Sequence, residues 1–289
     1  MWDVAGKAIL ISGATSGVGL EAAVTLARRG ARVSLIGRNS GRLDAAVATV
    51  RSRAGAGANA YLADFSSQVS IRQLAPALLG EHPQIDVLVN NAGGIHRRRS
   101  LTVDGIETTF STNHLGHFLL TNLLAERLIA SAPARVITVA SVGHRHGTMN
   151  FDDLGFERGY TLLRAYERSK LANVLFANEL ARRLAGTGVT SNCVHPGSVA
   201  TKIWSDAPVW SKPLIALVLR WSFISPEVGG QTIVQLAASA ELERVTGQYF
   251  EQQRPVAPSA AAQDSALAQR LWDVSATLVG GANPVLRAR

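Results

Sequence analysis

Short apolar runs recur along this chain, and each is followed by a longer stretch with helical periodicity. The runs are Ala8–Ile11, Val33–Ile36, Val87–Val89, Val136–Val139 and Val189–Val194. They are continuously apolar rather than alternating, which is the pattern of strands buried on both faces. Helices are expected near 17–29, 40–53, 67–79, 103–130, 160–185, 226–239 and 264–277. Strands divided by helices form βαβ units, and these build a parallel sheet with helices on both sides. The expected class is α/β, doubly wound. Gly30 and Gly188 fall just past helical stretches, where a residue free to take positive φ ends a helix. No linker interrupts the rhythm, so residues 1–289 read as one domain.

Composition removes several function classes. Charged residues make up 17% and apolar ones 47%, the balance of a chain with a core rather than a disordered one. The single cysteine, Cys193, excludes an internal disulfide framework and reads as a buried small hydrophobe. The net charge of +8 raises the question of anionic partners, but the basic residues are 25 Arg against 4 Lys and are scattered. Only Arg97-Arg98-Arg99 forms a run, with no aromatic interleaving, so no nucleic-acid partner is expected. Seven histidines include His144-Arg145-His146, and His114 with His117. None has a carboxylate or cysteine at ligand spacing, so no metal site is expected. Met1-Trp2-Asp3 lacks a basic leader, and the most apolar run, Pro213–Leu219, falls far short of the ~20 residues of a spanning helix. The expectation is a soluble cytoplasmic protein. The alanine-rich stretch Ala257–Ala262 is read as a loop.

The first strand-to-helix junction is Ser12-Gly13-Ala14-Thr15-Ser16-Gly17-Val18-Gly19. Glycines there let the backbone approach a pyrophosphate, and the free N–H groups and dipole of the helix stabilise its charge. The spacing is GxxxGxG rather than GxGxxG, a wider turn. In a dinucleotide site, an acid at the end of the second strand would hold a ribose 2′-hydroxyl. Here that strand ends in Gly37-Arg38-Asn39. A guanidinium can grip a 2′-phosphate in forked geometry, so Arg38 points to NADP(H) rather than NAD(H). The plain alternative is a solvated loop arginine.

From about Gly6 to Phe250 the chain resembles the short-chain dehydrogenase/reductase family. The resemblance rests on Ser12-Gly13-xxx-Gly17-x-Gly19, Asp64, Asn90-Asn91-Ala92-Gly93, Asn113, Ser141, Tyr166-xxx-Lys170 and His195-Pro196-Gly197, all in the family's order. The run Thr112–Leu120 and the 25-residue interval between Ser141 and Tyr166 resemble the retinol-dehydrogenase-like branch, which includes bacterial ketoreductases of bulky apolar carbonyls. Ala140 stands where a second serine is common, and Gly94 follows the Asn-Asn-Ala-Gly; neither removes a catalytic group. The resemblance implies a Rossmann-type sheet of about seven strands.

It also implies a catalytic quartet of Asn113, Ser141, Tyr166 and Lys170. Tyr166 and Lys170, four apart on a helix, share one face. A tyrosine of pKa ~10 needs a nearby cation to act near neutrality, and Lys170 supplies it. Hydride passes between the nicotinamide and a carbonyl carbon, Tyr166 protonates the oxygen, Ser141 orients it, and a lysine–water chain held by Asn113 returns the proton. For the cofactor the resemblance implies Ser12, Gly13, Thr15, Ser16, Gly17, Val18, Gly19, Arg38, Asn39, Asp64, Phe65, Asn91, Ala92, Gly93, Tyr166, Lys170, Pro196, Gly197, Val199 and Thr201. His195 is expected to pack near the cofactor rather than act as a base.

The segment from about 198 to 226 breaks the alternation with Trp204, Trp210, Trp221, Pro208 and Pro213. An irregular aromatic insertion beyond a strand end is where a substrate cover belongs, although a core helix or subunit contact fits it equally. The expected substrate is a small apolar carbonyl or alcohol, and the family implies a homo-oligomer. An NAD-linked alcohol dehydrogenase and a slow, cofactor-binding regulatory protein are the competing readings.

Overall fold

All five apolar runs form strands of one sheet. A computed structural model describes residues 2–197 and 224–286. The first half alternates β1 (Ala8–Ser12), α1 (Gly17–Arg28), β2 (Arg32–Gly37), α2 (Ser40–Ala54), β3 (Ala58–Leu62), α3 (Gln68–Glu81) and β4 (Val87–Asn90). The second half holds α4 (Thr108–Phe110), α5 (Gly116–Ala130), β5 (Ala134–Val139), α6 (Leu162–Arg183) and β6 (Val189–His195). Then come α7 (Pro226–Ala238), β7 (Tyr249–Glu251), β8 (Arg254–Pro255), α8 (Ala260–Gln263) and α9 (Ser265–Leu278). The strand order is β3-β2-β1-β4-β5-β6-β7-β8, parallel through β7, with β8 antiparallel at the edge. The sheet has eight strands where about seven were expected, because the short β8 pairs with β7.

Successive residues of each strand serve opposite faces. Leu10, Leu88 and Val136 join the core beneath α3, α5, α6 and α9. Ile9, Ile11, Val87, Val89 and Ile137 join the other core, beneath α1, α2 and α7. This two-sided burial explains the continuous apolar runs. The buried Trp2 donates its indole N–H to Ala237 O at 2.8 Å. Its ring also lies under the Arg135 guanidinium at 3.9 Å.

Two expectations need correction. The helix read over 103–130 does not begin at 103. Leu101 and Glu107 pair in an antiparallel bridge, and the Glu107 carboxylate caps the N–H groups of Thr109 and Phe110. The helix then widens into a π turn at Ser111–Leu115 before α5. The stretch read as a loop over Ala257–Ala262 enters α8 at Ala260. Val199, Thr201, Trp204, Trp210 and Trp221 lie outside the described residues. Among the described residues no helix is long and apolar enough to cross a membrane.

Candidate active site

The strand order reverses between β1 and β4, and a crevice at such a reversal is where doubly wound sheets bind ligands. Glycines make the close approaches there. A Cβ on Gly13 would stand 2.7 Å from Ala92 Cα, and one on Gly19 would stand 2.5 Å from Asn91 Nδ2. Asn91 fastens the loop by donating Nδ2 to the carbonyls of Ser12 (2.8 Å) and Gly13 (3.1 Å). Ser12 Oγ accepts the N–H groups of Asn91 and Ala92, each at 2.9 Å.

The N-terminus of α1 is open. Ser16 is its N-cap residue but makes no side-chain cap, so the first-turn N–H groups are left for another acceptor. Gly17 has φ +59° and open space where a Cβ would sit. Arg38 is exposed at the end of β2, and a Cβ on its neighbour Gly37 would meet Thr15 Cγ2 at 2.6 Å. Uncapped donors, glycine clearance and an adjacent cation fit a dinucleotide's phosphates. Asn39 caps α2, accepting Arg42 N–H at 2.9 Å. Asp64 Oδ1 is engaged in a local turn with the N–H (2.8 Å) and hydroxyl (2.7 Å) of Ser66. The buried Phe65 packs on His117, ring centroids 5.0 Å apart. Pro196 is buried, and Gly197 (φ +98°) is overlain so closely by Ile224 that a Cβ would meet Cδ1 at 2.1 Å.

The quartet converges from three elements. Ser141 follows β5, and its Oγ accepts Gly143 N–H at 3.2 Å. Lys170 Nζ, buried, donates to Val139 O at 3.1 Å and lies 5.6 Å from the centre of the Tyr166 ring. A Cβ on Gly93 would stand 3.2 Å from Asn113 Oδ1 and 3.8 Å from Lys170 Nζ. Burial pushes the Tyr166 phenol above its ordinary pKa, opposed in part by the Ser141 hydroxyl. Burial also pulls Lys170 down to about 8. His195 is buried with Nδ1 unpartnered, and burial lowers its pKa. Cys193 is fully buried, which pushes its thiol up to about 12. Among the described residues no three His, Cys, Asp or Glu side chains are placed to hold a metal ion.

Sequence reasoning missed the part played by His117. Its Nδ1 donates to Asn113 O at 3.0 Å, so Nε2, 3.2 Å from Ser12 Oγ, is an acceptor in the neutral ring. Burial, with a smaller contribution from Lys170, lowers its pKa to about 3 and keeps it neutral. The ring thereby ties the π turn to the end of β1. The signal was present: a histidine four residues beyond Asn113 in a helix is placed to accept or donate across one turn.

This site on this sheet defines a dinucleotide-dependent oxidoreductase. The profile described as "short chain dehydrogenase" matches residues 7–211, and the chain belongs to that family. It is an oxidoreductase acting on CH–OH groups and using a nicotinamide cofactor. It is 43% identical to mouse (Mus musculus) retinol dehydrogenase 14 over 95% of this chain and 86% of that protein. It is 40% identical to human (Homo sapiens) retinol dehydrogenase 13 over 98% of this chain and 88% of that protein. Among solved structures, an uncharacterized protein from Mycobacterium paratuberculosis superposes with a TM-score of 0.80 at 33% identity, covering 98% of this chain and 97% of that one. The NADP complex of RhlG from Pseudomonas aeruginosa gives 0.70 at 25% identity, covering 92% and 98%.

Proposed function

We propose that this enzyme is an NADP(H)-dependent reductase of apolar, bulky ketones or aldehydes, with Asn113, Ser141, Tyr166 and Lys170 as its catalytic set. The observation that carries this reading is the pair of hydroxyls, Tyr166 and Ser141, set beside the Lys170 ammonium. Burial raises the Tyr166 phenol pKa, so it keeps its proton at neutral pH, and the Ser141 hydroxyl lies within hydrogen-bonding reach of it. Two donors suit a carbonyl that must gain a proton. When bound, the nicotinamide supplies the hydride. Lys170 holds positive charge below about pH 8, beside the phenol that gives up its proton. Arg38, with Thr15 and the open α1 N-terminus, supports binding of a 2′-phosphorylated dinucleotide. The relatives' names support an apolar substrate, and RhlG with NADP supports the phosphorylated cofactor.

In this reading the whole chain works as one domain. A homo-oligomer in the cytoplasm completes it. The test is NADPH consumption against a panel of aromatic, steroidal, retinoid and polyketide carbonyls. Turnover of none of them, or turnover only with NADH, overturns the reading.

A further inference from the structure

Behind Ser141 stands a histidine that is not one of the quartet. His144 is fully buried on the 3-10 turn Val142–Arg145, for which Ser141 is the N-cap. Its backbone N–H and its Nδ1 both reach the Ser141 carbonyl, at 3.1 and 2.8 Å. On the far side of the ring, Nε2 lies 3.1 Å from the backbone N–H of Ser259. A backbone N–H can only donate, so Nε2 is the acceptor, and Nδ1, facing a carbonyl, carries the proton. The two partners select one neutral tautomer. An imidazolium would set two donors against each other at Ser259.

The surroundings agree. Tyr249 of β7 packs on the ring with centroids 4.7 Å apart, and burial lowers the imidazole pKa. The ionisable groups facing it are Arg145 and His146 from its own turn, His195 from β6 and Glu251 from β7. Only Glu251 favours the cation, and Arg145 stands 3.9 Å from that carboxylate. The segment carrying Ser259 is itself anchored to the catalytic elements. Arg145 Nη2 donates to Ala257 O at 3.2 Å, and Asn178 of α6, the helix of Tyr166 and Lys170, donates to Ala262 O at 2.9 Å.

We propose that His144 is a positioning residue for Ser141: braced from behind by Ser259, its Nδ1–H holds the Ser141 carbonyl and so sets the direction in which the Ser141 hydroxyl points. The proposal rests on Ser141 contacting the substrate oxygen, as the reductase reading has it. His144 touches neither substrate nor cofactor, so its effect belongs in turnover and not in dinucleotide affinity.

The amide analogues separate the two ends of the ring. In His144→Asn, Nδ2 takes the place of Nδ1 and keeps the donor to Ser141. In His144→Gln, the amide reaches the Nε2 position and keeps only the contact to Ser259. His144→Phe keeps neither. The full-length variants are measured for NADPH affinity, melting temperature, and kcat and KM on a carbonyl reduced by the wild type. The expected result is NADPH affinity within about twofold for all three. His144→Asn retains kcat within severalfold, while His144→Gln and His144→Phe lose about ten- to a hundredfold in kcat, the scale of a misplaced catalytic group. Equal losses in all three, no loss in any, or retention by Gln but not Asn overturns the proposal. A second measurement needs no substrate. The ¹⁵N ring spectrum of His144, assigned by its absence in His144→Asn, should show a protonated Nδ1 and a bare Nε2 at neutral pH. An Nε2–H tautomer or an imidazolium overturns it. Failure of the reductase reading would appear instead as undiminished turnover in Tyr166→Phe, leaving the ring spectrum unaffected.

Discussion

The side chain of Asn113 and the backbone of Gly94 exchange two hydrogen bonds. Asn113 Nδ2 donates to Gly94 O at 3.0 Å, and Gly94 N–H donates to Asn113 Oδ1 at 2.8 Å. Nδ2 also donates to Ser169 Oγ at 2.9 Å, and that hydroxyl donates on to Tyr166 O at 2.7 Å. One buried amide therefore joins the loop after β4, the π turn and the helix of Tyr166. Asn113→Ala would leave several of these groups without partners. It should cost about 1–3 kcal/mol in urea unfolding, the scale of buried polar groups left unsatisfied. A wild-type unfolding midpoint would show that the exchange is not holding the site.

Cofactor choice turns on Arg38. Replacing it by Asp puts a carboxylate where the reading places a 2′-phosphate. The ratio of NADPH to NADH affinity should fall by roughly one to two orders of magnitude, since a charge-assisted contact contributes ~1.5–3 kcal/mol. Dissociation constants for both dinucleotides decide it. An unchanged ratio would make Arg38 an ordinary solvated side chain.

Tyr166→Phe should bind NADPH almost as the wild type does and lose most turnover, because only the proton donor is removed. Lys170→Ala should harm both. The raised phenol pKa gives the pH dependence its sign: Tyr166 stays protonated through neutrality. Carbonyl reduction should then be level from pH 6 to 7, and alcohol oxidation, which needs the phenolate, should climb toward alkaline pH. Rates that rise toward acid in both directions would contradict this assignment.

His114 and His117 are both buried, and burial lowers each to about pKa 3. In the unfolded chain each titrates near 6.5. Between those values the unfolded state binds more protons, so stability falls as pH drops below 6.5 and is fully present above it. Each should contribute a slope of about 1.4 kcal/mol per pH unit. Urea unfolding at pH 5 and pH 7 measures it, and His117→Gln should reduce the slope. Equal stability at the two pH values would mean that these rings are accessible to protons in the folded protein.

The central sheet was readable because its strands are buried on both faces, so their apolar runs needed no partner to be seen. The edges were not. β3 reads Ala-Asn-Ala-Tyr-Leu and buries only Tyr61 fully, and β7 and β8 are too short to leave a pattern. The helix expected from 103 began later because Glu107 stops the preceding turn and caps α4, a tertiary choice between equally plausible starts. Within the site, the positions of Asn113, Ser141, Tyr166 and Lys170 followed from ordered motifs. The roles of His117 and His144 did not, because each is defined by which atom lies on either side of the ring, and those atoms are brought together only by folding.

The indole of Trp2 and its acceptor at Ala237 are 235 residues apart in sequence. A ribosome adds ~5–20 residues per second, so the donor emerges on the order of tens of seconds before its acceptor exists. The contact cannot guide early folding, and the loop it closes spans most of the chain. The β1–β2–β3 half can assemble during synthesis, since each of its parallel pairs closes across a single helix. Docking of the N-terminal indole against α7 is then a late event, and a nascent chain stalled before residue 237 should expose Trp2 to quenchers even where its first strands have already paired.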